Sequence, residues 1–392
     1  MEKLAINGGT PHITKPYPAW PVWDESDAKS VADAVREGVW GIHGKRIQDF
    51  AEAFGRMQHL KHVLPVANGS IALDLAVEAL GVGPGDEVIV QDYTFMATAL
   101  APMRRGARPV LVDVDPLTGN MDPAKLAGAI TSRTRAIIVV HIGGHPCDMT
   151  AICAIAEKYG IPIIEDCAHA HGATWAGTYV GSFGSICTFS LQSSKTLAVG
   201  EGGVVATNSD RLARLLWALH NCGRAPGEPD YNHYLAATNC RIGNLQAALG
   251  LSQLARFEEQ CSRRDQNGRY LQGLLASIKG IRPQGCHASV GRHGFYLFIL
   301  QVHDTSIDRD AFKAALHAEG VPTELHYPPI HTLEFMRTHG LVEGSFPGST
   351  YVADRSIWIY HRVLLGERQD LQRIAEAVDK VMRNREQLAA RK

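Results

Sequence analysis

The sequence predicts an α/β protein with a large domain built on a mostly parallel sheet and a smaller C-terminal α+β domain. Three observations carry that expectation. From Val63 onward, short apolar runs alternate with helical stretches, the pattern of parallel strands joined by covering helices. The run Ile161 to Ile164, closed by Glu165-Asp166, has the length and flanks of a buried parallel strand. Past Glu259 the texture changes, and a long strand at Phe295 to Val302 precedes an amphipathic helix, Asp308 to Glu319, with Phe312, Ala315 and Leu316 on one face and Gly320 as its stop. The expected divisions are an arm over residues 1–14, a large domain over 15–260 and a small domain over 261–392.

Taken in order, the opening to Trp23 is rich in proline and aromatics, which suits an extended arm laid over another surface. Helical patterns follow at Ser26 to Glu37 and Arg46 to Gln58, separated by the turn-rich Trp40-Gly41-Ile42-His43-Gly44. A strand at Val63 to Val66 leads through Asn68-Gly69-Ser70 into an apolar helix, Ile71 to Leu80. A small turn entering a helix N-terminus offers free N–H groups and a favourable dipole to an anion; a plain N-cap by Asn68 or Ser70 would look the same. Next come strands at Glu87 to Gln91, Pro109 to Val114 and Ala136 to Val140, with Asp92-Tyr93-Thr94-Phe95 opening a helix through Ala101 and another helix at Thr150 to Tyr159. After Thr207 the pattern predicts a helix at Asp210 to Leu219, a loop at Gly223 to Pro229 reaching Tyr231 to Tyr234, and a helix at Leu245 to Glu259 that ends the large domain. In the last domain a strand at Val321 to Tyr327 and a helix at Gln369 to Met382 complete the reading.

Composition narrows the function. With 392 residues and 45% hydrophobic content the chain has material for two or three domains. Lys plus Arg (39) balances Asp plus Glu (40) without a local run of charge, which argues against a nucleic-acid or anionic-membrane surface. The N-terminus lacks a basic segment followed by a long apolar core, and no run of eighteen apolar residues occurs, so the expected location is the cytoplasm. The eight cysteines are scattered without a CxxC pair, and the eighteen histidines show no ligand spacing, so neither a metal site nor a disulfide framework is expected.

The chemistry concentrates between Ile161 and Gly203. The strand ending at Asp166 delivers that carboxylate to the edge where open α/β sheets bind ligands. A second strand, Ile186 to Ser190, runs into Gln192-Ser193-Ser194-Lys195, and Gly200-Glu201-Gly202-Gly203 turns the chain into a third strand, Val204 to Thr207. Pyridoxal 5′-phosphate (PLP) chemistry needs a lysine amine for a Schiff base and an acid that keeps the pyridine nitrogen protonated. Asp166 and Lys195 meet those two needs. Either residue alone also reads as a helix cap or a solvated lysine. A nicotinamide fold is excluded because Gly81 to Asp86 follows a helix and precedes a strand, the reverse of the dinucleotide fingerprint.

The ordered set Asn68-Gly69-Ser70, Thr94-Phe95, Glu165-Asp166-Cys167-Ala168-His169, Phe189-Ser190 with Lys195, Gly200 to Gly203, and Asn239 resembles the DegT/StrS family of PLP-dependent aminotransferases, from about Lys15 to Val381. The resemblance implies the PLP-dependent transferase fold type I and a homodimer with shared active sites. It makes Lys195 the Schiff-base lysine and proton shuttle, Asp166 the partner of the pyridine nitrogen, Gly69, Ser70 and Ser190 the phosphate contacts, and Phe95 the aromatic stacked on the cofactor ring. Asn239 matches a phosphate contact from the neighbouring subunit. His169 matches the position facing the cofactor's phenolic oxygen, where many sugar aminotransferases carry glutamine. Arg241, His326 and Tyr327 are candidate substrate contacts. Lys195 argues against the sugar dehydratases of the family, which carry histidine there, and the intact cofactor set argues against a non-catalytic relative.

The acceptor implied is a ketone. Tyr17 to Pro21, Ala168 to Gly172 and Tyr360 to Leu365 resemble the scyllo-inosose aminotransferases and 3-amino-5-hydroxybenzoate synthase more than the nucleotide-sugar enzymes. The expectation is therefore amino transfer from an amino acid, L-glutamine favoured over glutamate or alanine, to a keto-cyclitol in aminocyclitol and antibiotic biosynthesis. A nucleotide-linked keto-sugar aminotransferase and a 3-amino-5-hydroxybenzoate synthase-like enzyme are the alternatives.

Overall fold

A computed structural model describes residues 2–227, 232–324 and 326–388. Its main sheet has seven strands in the order His62–Val66, Gly203–Thr207, Ile186–Ser190, Ile163–Asp166, Thr134–Val140, Glu87–Gln91, Arg108–Val112. All neighbours from Ile186–Ser190 to Arg108–Val112 are parallel, and only Gly203–Thr207 runs antiparallel to its two partners. The expected mostly parallel sheet is thus present, with the carboxyl ends of the Ile163 and Ile186 strands beside the amino end of the Gly203 strand. The strands are Val- and Ile-rich and buried on both faces, Val88, Ala136, Ile138 and Ile164 toward one core and Ile89, Ile137, Val139 and Ile163 toward the other, as helices on both sides require.

A four-stranded antiparallel sheet, ordered Ile281–Pro283, Leu297–Val302, Ser356–Tyr360, Thr323–Glu324, forms the C-terminal unit. Its core holds Phe298, Phe312, Leu316, Leu371 and Val378. The chain start packs into that same core through Leu4 and Ile13, and Glu319 fixes it by accepting from the Ala5 amide at 2.8 Å and from Lys380 Nζ at 2.9 Å.

Three elements differ from expectation. The helix read as ending at Glu259 runs from Asn244 to Leu275 and spans the expected division between the domains. Its buried positions continue through Cys261, Arg264, Gly268, Leu271 and Leu275, but two of them are arginine and glycine, so the apolar period fades while the helix continues. Gly268 belongs there because a Cβ would stand 2.5 Å from the Phe295 ring. Asp92 to Met96 is not helical; the helix begins at Ala97 and ends at Arg104. Asp92 is instead tied to the C-terminal unit, its carboxylate accepting from His331 Nδ1 at 2.6 Å and its carbonyl from the Ile330 amide at 2.8 Å, which leaves Thr94 and Phe95 on an open turn. The strand read over Val321 to Tyr327 reduces to Thr323–Glu324; Leu325 lies outside the described residues, as do Glu228 to Tyr231 of the predicted loop.

Candidate active site

The carboxyl edge of the main sheet opens into a cleft of about 640 Å³. Four short backbone segments converge on it. Asn68 caps the helix Gly69–Ala79 by accepting from the Ile71 amide at 2.9 Å, which leaves the amides of Gly69 and Ser70 without acceptors inside the helix. That N-terminus is pressed against the sheet so closely that a Cβ on Gly69 would lie 2.9 Å from Ser190 Cβ, and one on Gly203 would lie 2.5 Å from the Asn68 carbonyl carbon. Glycine is needed at both positions. The result is a cradle of two amides, a helix dipole and the Ser190 hydroxyl, the arrangement that binds a phosphate.

Asp166 stands at its strand end, 5% exposed. One carboxylate oxygen accepts from the Ala168 amide at 3.1 Å and the other from the Thr98 hydroxyl at 3.2 Å. Burial raises its pKa, opposed by the Ala168 amide, the Lys195 charge and the Thr98 hydroxyl. A buried carboxylate in this position is stabilised by any cation placed against it, and a protonated ring nitrogen is one. Thr188, paired with Asp166 on the next strand, keeps its hydroxyl buried without a partner among the described residues, inside the same cleft.

Lys195 is 9% exposed and projects its amine over the Tyr296 ring, 4.2 Å from the centroid. Burial lowers its pKa to about 8, with Asp166 pulling the other way. At pH 7 roughly a tenth of such amines are neutral, so the lysine is ready for nucleophilic attack on a carbonyl. Competitive acetylation of the cofactor-free protein should accordingly give Lys195 a titration midpoint near 8; a midpoint at the ordinary 10.5 contradicts the burial.

His169 occupies the wall beside them. The Gly143 amide donates to its Nδ1 at 3.3 Å, so the proton sits on Nε2, which donates to the Tyr327 hydroxyl at 3.3 Å. Burial, then the charge on Lys195, holds its pKa well below the usual value, and the ring remains a neutral donor. Tyr327 also meets Phe95, ring centroids 5.6 Å apart. Phe95 itself is 55% exposed at the cleft mouth, an apolar face left open for a flat ring.

Of the residues predicted from sequence, Gly69, Ser70, Phe95, Asp166, His169, Ser190, Lys195 and Tyr327 line this cleft. Three others do not reach it within one chain. Asn239 is exposed; its backbone pairs with Asn221 in an isolated antiparallel β-bridge, and its side-chain oxygen accepts from the Arg241 amide at 3.2 Å. Arg241 donates to Asn221 Oδ1 at 2.9 Å and lines a separate cavity with His43 and Gly44. His326 turns its Nδ1 to the Tyr327 carbonyl at 3.0 Å, and burial lowers its pKa to about 4. Sequence reasoning missed Thr98, Thr188 and Tyr296. Thr98 stands four residues after Thr94, and the two hydroxyls lie 3.2 Å apart, a spacing that could have placed it on the cleft face; nothing in the sequence brings Tyr296 to Lys195. The buried group His141, Glu165 and Cys167 has the composition of a metal site, but Glu165 is already saturated by the amides of Gly181, Phe183 and Gly184 at 2.6–2.8 Å.

The cleft therefore offers a phosphate cradle, an open aromatic face, a buried carboxylate and a depressed lysine amine, which together fit PLP. Comparison with known proteins agrees. The model of the DegT/DnrJ/EryC1/StrS aminotransferase family matches residues 21–379. Among curated relatives, 3-amino-5-hydroxybenzoate synthase of Amycolatopsis mediterranei is 35% identical over 92% of this chain and 96% of its own length, and L-glutamine:2-deoxy-scyllo-inosose aminotransferase of Streptoalloteichus tenebrarius is 36% identical over 99% of each. Among solved structures, a 3-amino-5-hydroxybenzoic acid synthase superposes with a TM-score of 0.89 at 33% identity, covering 94% of this chain and 99% of that one. A putative sugar aminotransferase of Streptococcus pneumoniae in its PLP form gives 0.87 at 25% identity, covering 95% and 99%.

Proposed function

The chain belongs to the DegT/DnrJ/EryC1/StrS family of PLP-dependent aminotransferases, and on that premise we propose that it moves the α-amino group of L-glutamine to a keto-cyclitol of the scyllo-inosose type. The observation that carries the acceptor is end-to-end similarity to enzymes named for that reaction. The cleft supports it. Beside the charged Asp166, Lys195 and Glu201, its lining is rich in hydroxyl, amide and imidazole groups (His169, Gln192, Ser194, Tyr296, Tyr327), which suits the hydroxyls of a polyol ring. A nucleotide-linked sugar brings a diphosphate, and the cleft's other cation, Arg104, is held by Asp74 at 2.6 Å.

The bound cofactor supplies an aldehyde and an electron-withdrawing ring. In this reading the amides of Gly69 and Ser70 and the Ser190 hydroxyl bind its phosphate, and Phe95 covers one ring face. Asp166 would balance the proton on the ring nitrogen, and His169 would turn toward the phenolic oxygen the Nε2–H that it otherwise gives to the Tyr327 hydroxyl. Lys195 Nζ would hold the cofactor between turnovers; once freed by the donor, the same amine would carry the donor's α-proton to the cofactor's aldehyde carbon in the first half-reaction and a proton the opposite way, onto the acceptor carbon, in the second. The exposure of Asn239 on its loop supports the reading that it serves the phosphate of a second subunit in a homodimer with shared sites. Eight unpaired cysteines suit a reducing cytoplasm, and an aminocyclitol product of this kind would serve antibiotic biosynthesis.

The test is amination of scyllo-inosose with L-[α-15N]glutamine, read by mass spectrometry against nucleotide-linked 3-keto and 4-keto sugars. The cyclitol should lead in kcat/KM by at least tenfold, about 1.4 kcal/mol. Preference for a nucleotide-linked sugar overturns the acceptor, and release of an aromatic amine from an aminated cyclohexane ketone favours the 3-amino-5-hydroxybenzoate synthase-like reading that the similarity to that enzyme also supports.

A further inference from the structure

We propose that Trp20, Arg264 and His361 form a bracket that fixes the backbone of the lysine loop, and that they are positioning residues for Lys195. Three carbonyls within four residues of that loop each accept from a different side chain. Trp20 Nε1 donates to Ser193 O at 2.9 Å, His361 Nε2 to Ser194 O at 3.0 Å, and Arg264 Nη2 to Thr196 O at 3.2 Å. The donors come from three distant parts of the chain: the extended N-terminal arm, the end of strand Ser356–Tyr360, and the middle of the helix Asn244–Leu275. They also hold one another. The Trp20 and His361 rings meet edge to face with centroids 4.3 Å apart, and the Arg264 guanidinium lies 5.4 Å from the Trp20 ring centre.

The loop leaves the sheet at Ser190 and rejoins it at Gly203; its internal bonds run from Leu191 N to Gly202 O, Ser193 N to Gly200 O, Ser194 N to Gln192 Oε1, Lys195 N to Gln192 O and Val199 N to Leu191 O at 2.8–2.9 Å, and none of them uses the carbonyls of Ser193, Ser194 or Thr196. Each bracket residue has a feature that plain packing does not require. Arg264 is fully buried with no acidic partner among the described residues, and its Nε and Nη1 find no acceptor there. A buried guanidinium is costly unless its donors are used, and here its one backbone bond is to the lysine loop. His361 is likewise buried, donating through Nε2 while Nδ1 stays bare. Trp20 spends its only donor on Ser193 O. A lysine that must leave and re-form a bond to the cofactor in every turnover gains from a backbone that does not move with it, because misplacement by about 1 Å is enough to cost on the order of 100-fold in rate.

This inference rests on Lys195 being the cofactor lysine, and the experiment separates the two. Hydrogen–deuterium exchange of the cofactor-free protein should rise at least tenfold in peptides covering Ser193 to Thr196 for Trp20→Phe, which keeps the ring and deletes the donor, and for His361→Leu, with the sheet strands unchanged. In the loaded enzyme both variants should lose at least tenfold in kcat with the donor KM held within twofold, and His361→Gln, whose amide nitrogen can reach the same carbonyl, should recover to within threefold of wild type. Unchanged loop exchange, faster exchange spread over the whole chain, or faster loop exchange with unaltered kcat each overturn the bracket. If the cofactor maps to another lysine while the loop still loosens on substitution, the site reading fails and the positioning role fails with it, but the loop contacts stand.

Discussion

Lys195→Ala should stop amino transfer, with turnover falling by at least about 10⁴-fold, since both the covalent link to the cofactor and the proton carrier disappear together. The fold should survive. Near neutrality the buried amine is mostly protonated in both the folded and unfolded states, and its folded pKa is depressed from 10.5 to about 8, so folding carries a penalty of ~3 kcal/mol at pH 7 that the alanine variant lacks. The sign follows from a base whose folded pKa is lowered: the penalty is complete below pH 8 and vanishes above the unfolded value. Lost packing of the lysine stem against Tyr296 offsets part of that gain. A thermal midpoint close to wild type with no detectable turnover is therefore the expected pair of results. Retained turnover would remove Lys195 from the mechanism, and a collapsed midpoint would make it a structural residue.

The second large effect is expected at Asp166→Asn. The asparagine oxygen can still accept from the Ala168 amide, and the Thr98 hydroxyl can accept from the new NH2 in place of donating, so shape and local bonding persist. Only the charge is lost. A unit charge about 4 Å from its partner is worth ~4 kcal/mol at an effective dielectric constant of 20. That predicts a fall in kcat of about 10²- to 10³-fold, with cofactor affinity reduced by less than about tenfold because the phosphate cradle and Phe95 are untouched. Parallel titration of cofactor absorbance and initial rates checks it. A kcat within about threefold of wild type, ~0.7 kcal/mol, contradicts the charge-balancing role.

Much of this site was legible because its parts are local. The strand Ile186–Ser190, the turn Gly200 to Gly203 and the helix start at Gly69 are each short segments whose residue types state their backbone needs. The close approach of Gly69 to Ser190, which assembles these parts into a cradle, is what the structure adds. Asp166 and Lys195 could be paired from sequence because PLP chemistry requires both an acid and an amine. What was not legible comes from elsewhere in the chain. Tyr296 reaches Lys195 from the start of the small sheet, and His361 and Trp20 reach the lysine loop from opposite ends of the sequence. The apolar period of the long helix fades past Glu259 because Arg264 and Gly268 sit on its buried face, where sequence periodicity looks for apolar side chains. The residues around Phe95 predict a helix start, but the bond between Asp92 and His331, two residues 239 apart, holds that stretch open.

The central claim is that this cleft holds PLP on Lys195. Its most direct measurement is borohydride reduction of the PLP-loaded protein followed by peptide mapping. The visible cofactor band should bleach, and the mass of the reduced cofactor should remain on the peptide containing Lys195 and on no other. Cofactor mass on a different lysine, or a band that bleaches and leaves no peptide modified, would contradict the account.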